Sequence, residues 1–268
     1  MLGLLPGGDT TTFFADVAVL RHSGMLSLFS GSKPVQDPEY RTFVRETSFD
    51  YTRDLDAVAG AVQNGQVFFI IRGRFDWNKL RQYARSHSGS CGDDICRVAT
   101  STPGRWASFV TIQPNVLALA LSQDSSAALR LKPNAPPTPK PMPPQPIWVR
   151  ISTQLLRNPV DLPAALRIFA ISLQSANPVI LSVQAAHQKD AAFDLHLDAL
   201  APNEATAEVT RNQLEIQTKM LKLELARERQ QPSPADLTGL LTSGTFQIVD
   251  KHVIGTWPVR KELLSALQ

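Results

Sequence analysis

The sequence of 268 residues is poor in the features that identify an enzyme or a membrane protein. It has only 2 cysteines, and it lacks the nucleophile elbow of hydrolases, the phosphate-binding loop and the glycine pattern of dinucleotide-binding proteins. No run of about 18 apolar residues is present to span a membrane. The net charge of +3 is small for this length, whereas nucleic-acid binding requires a clustered basic patch. We therefore expect no catalytic residue, no cofactor, no metal, no transmembrane segment and no nucleic-acid partner.

Proline, by contrast, is concentrated in one segment. Eight of the 20 prolines lie within residues 133–146, and proline fixes φ and lacks a backbone donor, so this segment cannot join the interior of a helix or sheet. The composition predicts a stiff linker between an N-terminal α+β domain (residues 1–132) and a C-terminal α+β domain (residues 147–268). A ligand for a proline-recognition domain is the alternative.

A β-hairpin is the clearest local signal in the first half. Residues 57–63 and 66–72 are apolar segments joined by Asn64-Gly65, which favours a two-residue type I′ turn. That loop length pairs Val62 with Val67 and places apolar residues on both faces. We therefore expect a central hairpin that is covered on both sides.

The second half contains a hairpin and a long helix. Side-chain alternation over residues 178–200 requires the pairing of Val183 with Leu195. A helix is predicted from Asn203 to about Gln230. It carries two adjoining apolar stripes, wider than a coiled-coil seam, which indicates packing of both stripes against the hairpin. The first stripe is Val209, Ile216, Met220 and Leu223, and its neighbour is Ala207, Leu214, Leu221 and Leu225.

The two halves show the same predicted order of elements. Each follows β-α-β-β-α-β-β-α with an extra helix or strand, and this order contains that of a ferredoxin-like split. We interpret the chain as a diverged internal duplication of two ferredoxin-like halves with mainly antiparallel sheets.

The two cysteines have a spacing that bears on the cellular compartment. Cys91 and Cys96 are separated by four residues, whereas the thioredoxin-type redox pair has two intervening residues. We interpret them as a small disulfide loop, with two free thiols as the alternative. Disulfides persist in oxidising compartments, so the pair predicts an extracytoplasmic location, in the periplasm or cell envelope. A cytoplasmic location is the alternative.

One polar cluster has the spacing of a site. Asp194, His196 and Asp198 lie at i, i+2 and i+4 on one strand face, as the ligands of a metal or a general base with its partners would. A solvated sheet face produces the same alternation. We favour the solvated face.

Arginines and aromatic residues alternate at the end of the first hairpin. Residues 68–75 are similar to an RNA-recognition strand, in which the stacking aromatics are exposed. Both hairpin faces are apolar here, so we expect these aromatics to be buried.

The N-terminus carries a family resemblance. Met1 to Gly8 lacks the basic and apolar regions of a signal peptide. The Leu4-Leu5-Pro6 start, residues 9–18 (Asp-Thr-Thr-Thr-Phe-Phe-Ala-Asp-Val-Ala) and the later Gly-Arg-Phe-Asp at 73–76 resemble uncharacterised extracytoplasmic bacterial proteins. Those proteins usually carry an export or lipoprotein signal before such a start. The resemblance covers mainly the first half, and it implies the location but no activity.

Two functional hypotheses follow. The first is a non-enzymatic extracytoplasmic protein that acts through contact with an unknown protein partner. The alternative is an enzyme or small-ligand binder with a site between the two halves, where pockets often form.

Overall fold

The computed structural model describes residues 1–30, 37–92, 94–133, 142–160 and 162–267. The chain divides into two compact units, Met1–Pro146 and Ile147–Gln268. Most of the predicted proline linker, at residues 134–141, lies outside the described residues. Each unit mixes helices with antiparallel strands, which confirms the α+β class.

The N-terminal unit is an antiparallel sheet with helices. Its strands follow the spatial order β1-β2-β3-β7-β6-β5-β4. They are β1 (Thr11–Asp16), β2 (Leu55–Gln63), β3 (Gln66–Gly73), β4 (Ser90–Cys91), β5 (Cys96–Ala99), β6 (Trp106–Gln113) and β7 (Val116–Ser122). The helices are α1 (Val17–His22), α2 (Leu26–Ser30), α3 (Pro38–Thr47), α4 (Tyr51–Asp54) and α5 (Trp77–Ser86), with 3-10 turns at Leu2–Leu4 and Ala127–Leu131.

Aspartate side chains begin most of these helices. The carboxylates of Asp16, Asp37, Asp50 and Asp76 each accept a hydrogen bond from a backbone N–H of the first turn. Such a cap satisfies a donor that has no partner within the helix and stabilises it by about 1 kcal/mol. These residues explain why the helices begin where they do.

The β2–β3 hairpin has the predicted register and a different burial. Val62 pairs with Val67 across the Asn64-Gly65 turn. On one face Phe68 and Ile70 are fully buried, but on the other face Val62 is 40% exposed. The expectation that both faces are covered is therefore wrong at the turn end of the hairpin. Farther from the turn, on the same face as Val62, Phe69 packs edge-on against Phe13, with ring centroids 5.8 Å apart.

The described residues of the C-terminal unit form five strands in the spatial order β11-β12-β10-β9-β8, each antiparallel to its neighbour. The strands are β8 (Ile147–Ile151), β9 (Val179–Gln184), β10 (Ala191–Leu200), β11 (Thr245–Val249) and β12 (His252–Arg260). The helices are α6 (Thr153–Arg157), α7 (Ala164–Ser172), α8 (Glu204–Arg227), α9 (Leu237–Thr242) and α10 (Lys261–Leu267).

The two units share a strand order. In each, the first strand pairs with the second, the second with the third, the third with the last, and the last with the one before it. Along the chain, both units contain the predicted order β-α-β-β-α-β, with more than one helix between the first two strands. Their spatial order differs from a ferredoxin-like split, because no strand is inserted between the two strands that flank the first helices. An origin by internal duplication stays a prediction.

The long helix α8 is placed on the sheet by one of its two stripes. Asn203 caps it by accepting a hydrogen bond from the Thr206 N–H at 2.8 Å. Ala207, Leu214 and Leu225 are buried as predicted. The other stripe faces solvent: its four members are exposed by 53–58%. The expectation that both stripes pack against the sheet is therefore wrong for this second one. The strands that α8 contacts most are β11 and β12, not the β9–β10 hairpin.

Candidate functional site

Two of the three polar residues predicted as a cluster on β10 pair with separate histidines. The buried Asp194 carboxylate accepts hydrogen bonds from the backbone N–H of His187, at 3.0 Å, and from its Nδ1. Asp198 Oδ1 lies 2.6 Å from Nδ1 of His252 on the neighbouring strand β12. The two carboxylates thus turn to different histidines. Among the described residues, no three His, Cys, Asp or Glu side chains are grouped so as to hold a metal ion.

His196 lies between these two pairs on the same strand. Burial lowers the pKa of His196 below its ordinary value; the Asp198 carboxylate opposes this shift and the His187 ring adds to it. A neutral imidazole is a potential base. Its opposite residue on β9 is Ser182, which is buried.

Two histidine partners were missed by the sequence analysis. His187 follows β9 and His252 begins β12, positions at which surface histidines are common. The register places His252 opposite Leu200, diagonally next to Asp198, and diagonal neighbours on a sheet face are within reach of long side chains. Predicting the contact between Asp198 and His252 therefore requires knowing that β10 pairs with β12. The sequence of neither strand alone shows that pairing.

The cysteines form a disulfide in the N-terminal unit. The Sγ atoms of Cys91 and Cys96 are 1.99 Å apart. The bond joins β4 to β5, where the two residues are also paired in the sheet register. It lies at the end of the strand order, so it links the outermost strand to the rest of the unit.

An apolar cavity, partly open to solvent, lies between the sheet and the helices of the C-terminal unit. The cavity has a volume of about 190 Å³. Every lining residue is apolar and most are leucine, contributed by four strands, four helices and the segments beside them. The lining residues are Ile151, Leu155, Leu156, Leu162, Leu166, Phe169, Ala170, Leu173, Leu181, Leu195, Leu197, Leu214, Leu240, Leu241 and Trp257.

Two glycines position the indole that lines this cavity. A Cβ atom on Gly244 would lie 2.4 Å from Nε1 of Trp257, and one on Gly255 would lie 2.9 Å from Cη2 of the same ring. Both approaches exclude any larger residue. The ring is only 6% exposed and packs edge-on against Phe246, with centroids 5.4 Å apart. Because these two positions are glycine, there is room for the flat indole ring of Trp257 beside the cavity.

The exposed stripe of α8 is a second unusual surface. Val209, Ile216, Met220 and Leu223 recur at helical spacing and are all more than half exposed. Single exposed apolar residues are ordinary, but an aligned row of them on one helix marks a contact surface. We call this row the α8 stripe.

Comparison with known proteins identifies the fold. No family model matches the chain and no curated protein is significantly similar to it. Three crystal structures of TP0453 are similar in fold. Crystal form III has a TM-score of 0.54 at 13% identity, form I has 0.51 at 14%, and form IV has 0.50 at 12%. Each comparison covers 99% of this chain and 95–96% of the other. At such identity the likeness concerns the fold alone. In the described part of this chain, no helix has the length and apolarity needed to cross a membrane.

Proposed function

We propose that the C-terminal unit binds an apolar small molecule or the alkyl chain of an amphiphile in its leucine-lined cavity. The observation that carries this proposal is the lining itself, in which no polar residue takes part. Water needs two to four polar partners in a buried site, so such a cavity is poorly suited to water and well suited to hydrocarbon. No catalytic step belongs to the proposal, and a site between the two halves stays a prediction.

The volume sets the size of the ligand. An apolar cavity of about 150 Å³ in another protein accommodates benzene, and this one measures about 190 Å³. It therefore accepts a single ring or a short alkyl segment. A long chain would have to leave part of its length outside the cavity or displace the lining.

Binding of toluene, an apolar single-ring probe that matches the cavity in size, is measured by isothermal titration calorimetry to test this proposal. Ala170→Leu adds three carbons inside the lining, and we expect it to weaken probe binding at least tenfold. Ala205→Leu adds the same group at an exposed position of α8 and should bind like the wild type. Equal binding by the wild type and Ala170→Leu would contradict the proposal.

The α8 stripe supports a second function, contact with a protein partner. Four large apolar side chains that face solvent on one helix favour an interaction surface over a purely structural role. This function is independent of the cavity, because the lining takes Leu214 from the opposite, buried side of α8.

We further propose an extracytoplasmic location, in the periplasm or cell envelope, with a cytoplasmic location as the alternative. The Cys91–Cys96 disulfide supports it, since such bonds persist in oxidising compartments. Thiol titration of denatured, unreduced protein recovered from envelope extracts should find almost no free sulfhydryl. Two reactive thiols per chain would argue for the cytoplasm.

A further inference from the structure

We propose that the α8 stripe pairs with the same stripe of a second copy of this chain, with the two helices antiparallel. The inference rests on the proposed contact role of α8 and names its partner. The stripe is about 20 Å long between Val209 and Leu223 at 1.5 Å per residue. A two-fold axis at Ile216 would bring Ile216 onto Ile216 and Val209 onto Leu223 of the other copy, since residues at equal distances on either side of the axis meet.

Charge gives the orientation. The first half of α8, residues 204–215, contains three glutamates and one arginine, whereas residues 216–227 contain three basic residues and one glutamate. Formal charge is thus −2 on one half and +2 on the other. A parallel pair would place like charges together, and an antiparallel pair places each acidic half beside a basic half.

The charged residues of α8 also lie beside the stripe, where a second copy would meet them. By helical periodicity, Glu208, Glu215, Lys219 and Lys222 share one flank of the stripe. Glu215 already accepts a hydrogen bond from Arg211 at 3.5 Å. Lys219 and Lys222 are exposed, and neither makes an ion pair with a residue that the structure describes. Their ammonium groups are therefore available to the glutamates of a second copy.

The contact area sets the expected strength. Stable interfaces bury about 800 Å² on each partner, and a single helix with four apolar side chains presents less than that. We expect a weak, reversible dimer, so the assembly appears only as protein concentration rises.

Sedimentation equilibrium with two complementary variants tests the pairing. Lys219→Glu/Lys222→Glu makes the flank wholly acidic, and Glu208→Lys/Glu215→Lys makes it wholly basic. We expect the wild type to dimerise with rising concentration, each variant alone to remain monomeric, and an equal mixture of the two variants to dimerise. Restoration in the mixture requires that the charged flanks of two chains meet across the contact, and the charge repulsion of each variant with itself accounts for its loss of dimerisation. A mixture that stays monomeric while the wild type dimerises would overturn the antiparallel pairing.

A second variant tests the apolar seam. Ile216→Asp places a charge at the centre of the α8 stripe. Because this position is already exposed, the fold should be retained. We expect the dimer dissociation constant to rise at least a hundredfold. An unchanged constant, or a wild type that is monomeric at every concentration, would overturn self-pairing. If the monomeric wild type instead binds phosphatidylcholine vesicles and Ile216→Asp does not, the occupant is a lipid surface and the protein-contact function fails as well. Probe binding in the cavity is measured separately and is expected to be unchanged in all these variants.

Discussion

The two units pair their first three and last two strands in the same way, and they differ in the size of the side chains packed on those strands. In the N-terminal unit, the large residues of β3 lie between alanines of the neighbouring strands: Ile70 between Ala59 and Ala118, and Phe68 between Ala61 and Ala120. In the C-terminal unit, the equivalent strand β10 places Leu195 between Val183 and Trp257. Alternation of large and small side chains lets layers interdigitate. The sheet side of the C-terminal cavity is instead built from large side chains, among them Leu181, Leu195 and Trp257.

The largest effect should come from removing a bulky residue of the alternating core. Phe68→Ala leaves three alanines in a row, and we expect a loss of about 3–5 kcal/mol in the free energy of unfolding. Val62→Ala on the same hairpin is the control, and it should cost about 0.5 kcal/mol or less because Val62 is 40% exposed. Urea melts measure both. Similar losses would mean that Phe68 is not packed as the structure has it.

The next effect separates the two sides of α8. Leu225 is buried and Leu223 is 58% exposed, although both are leucines two residues apart on the same helix. We expect Leu225→Ala to cost about 2–5 kcal/mol and Leu223→Ala about 0.5 kcal/mol or less. Dilute protein is needed in these melts, so that self-association does not contribute. A large loss for Leu223→Ala in the monomer would show that the stripe is covered within one chain.

An alanine-to-leucine exchange should have opposite signs in the two units. Ala120 is fully buried beside Phe68, so Ala120→Leu should overpack the sheet and destabilise by about 1–3 kcal/mol. Ala170 lines the cavity, so Ala170→Leu should fill space and stabilise by about 0.5–2 kcal/mol. Thermal melts decide the signs. Destabilisation by both changes would mean that the cavity cannot accept added carbon.

The smallest effect concerns pH and the C-terminal sheet. The pKa of His196 is lowered in the folded state, mainly by burial, so the unfolded chain binds the proton more readily. Stability should therefore fall as pH drops below the ordinary histidine value near 6.5 and level off below the folded pKa. His196→Gln should remove this part of the acid dependence and leave stability at pH 8 nearly unchanged. Parallel pH titrations of the urea midpoint for the two proteins test it.

Local patterns predicted the hairpins well and the sites poorly. The Asn64-Gly65 turn and the alternation around Val183 determine register because a one-residue slip would reverse every side chain. The α8 stripe was assigned to the core because its apolar residues are indistinguishable in sequence from those that are buried. The pairing of Asp198 with His252 and the cavity depend on neighbours far away along the chain. No periodicity within one element contains that information.

The cap and the end charges of α8 have a consequence for the helix itself. Glu204 lies in the first turn and Arg227 in the last, so each opposes the partial charge of the helix macrodipole at its own end. Such placements contribute about 0.3–1 kcal/mol each at exposed positions, in addition to the Asn203 cap. None of these three residues belongs to the charged flank at positions 208–222. The favourable charges at both ends of α8 are therefore kept in the variants that change the flank. They are also kept in the monomer, where the α8 stripe is exposed to water.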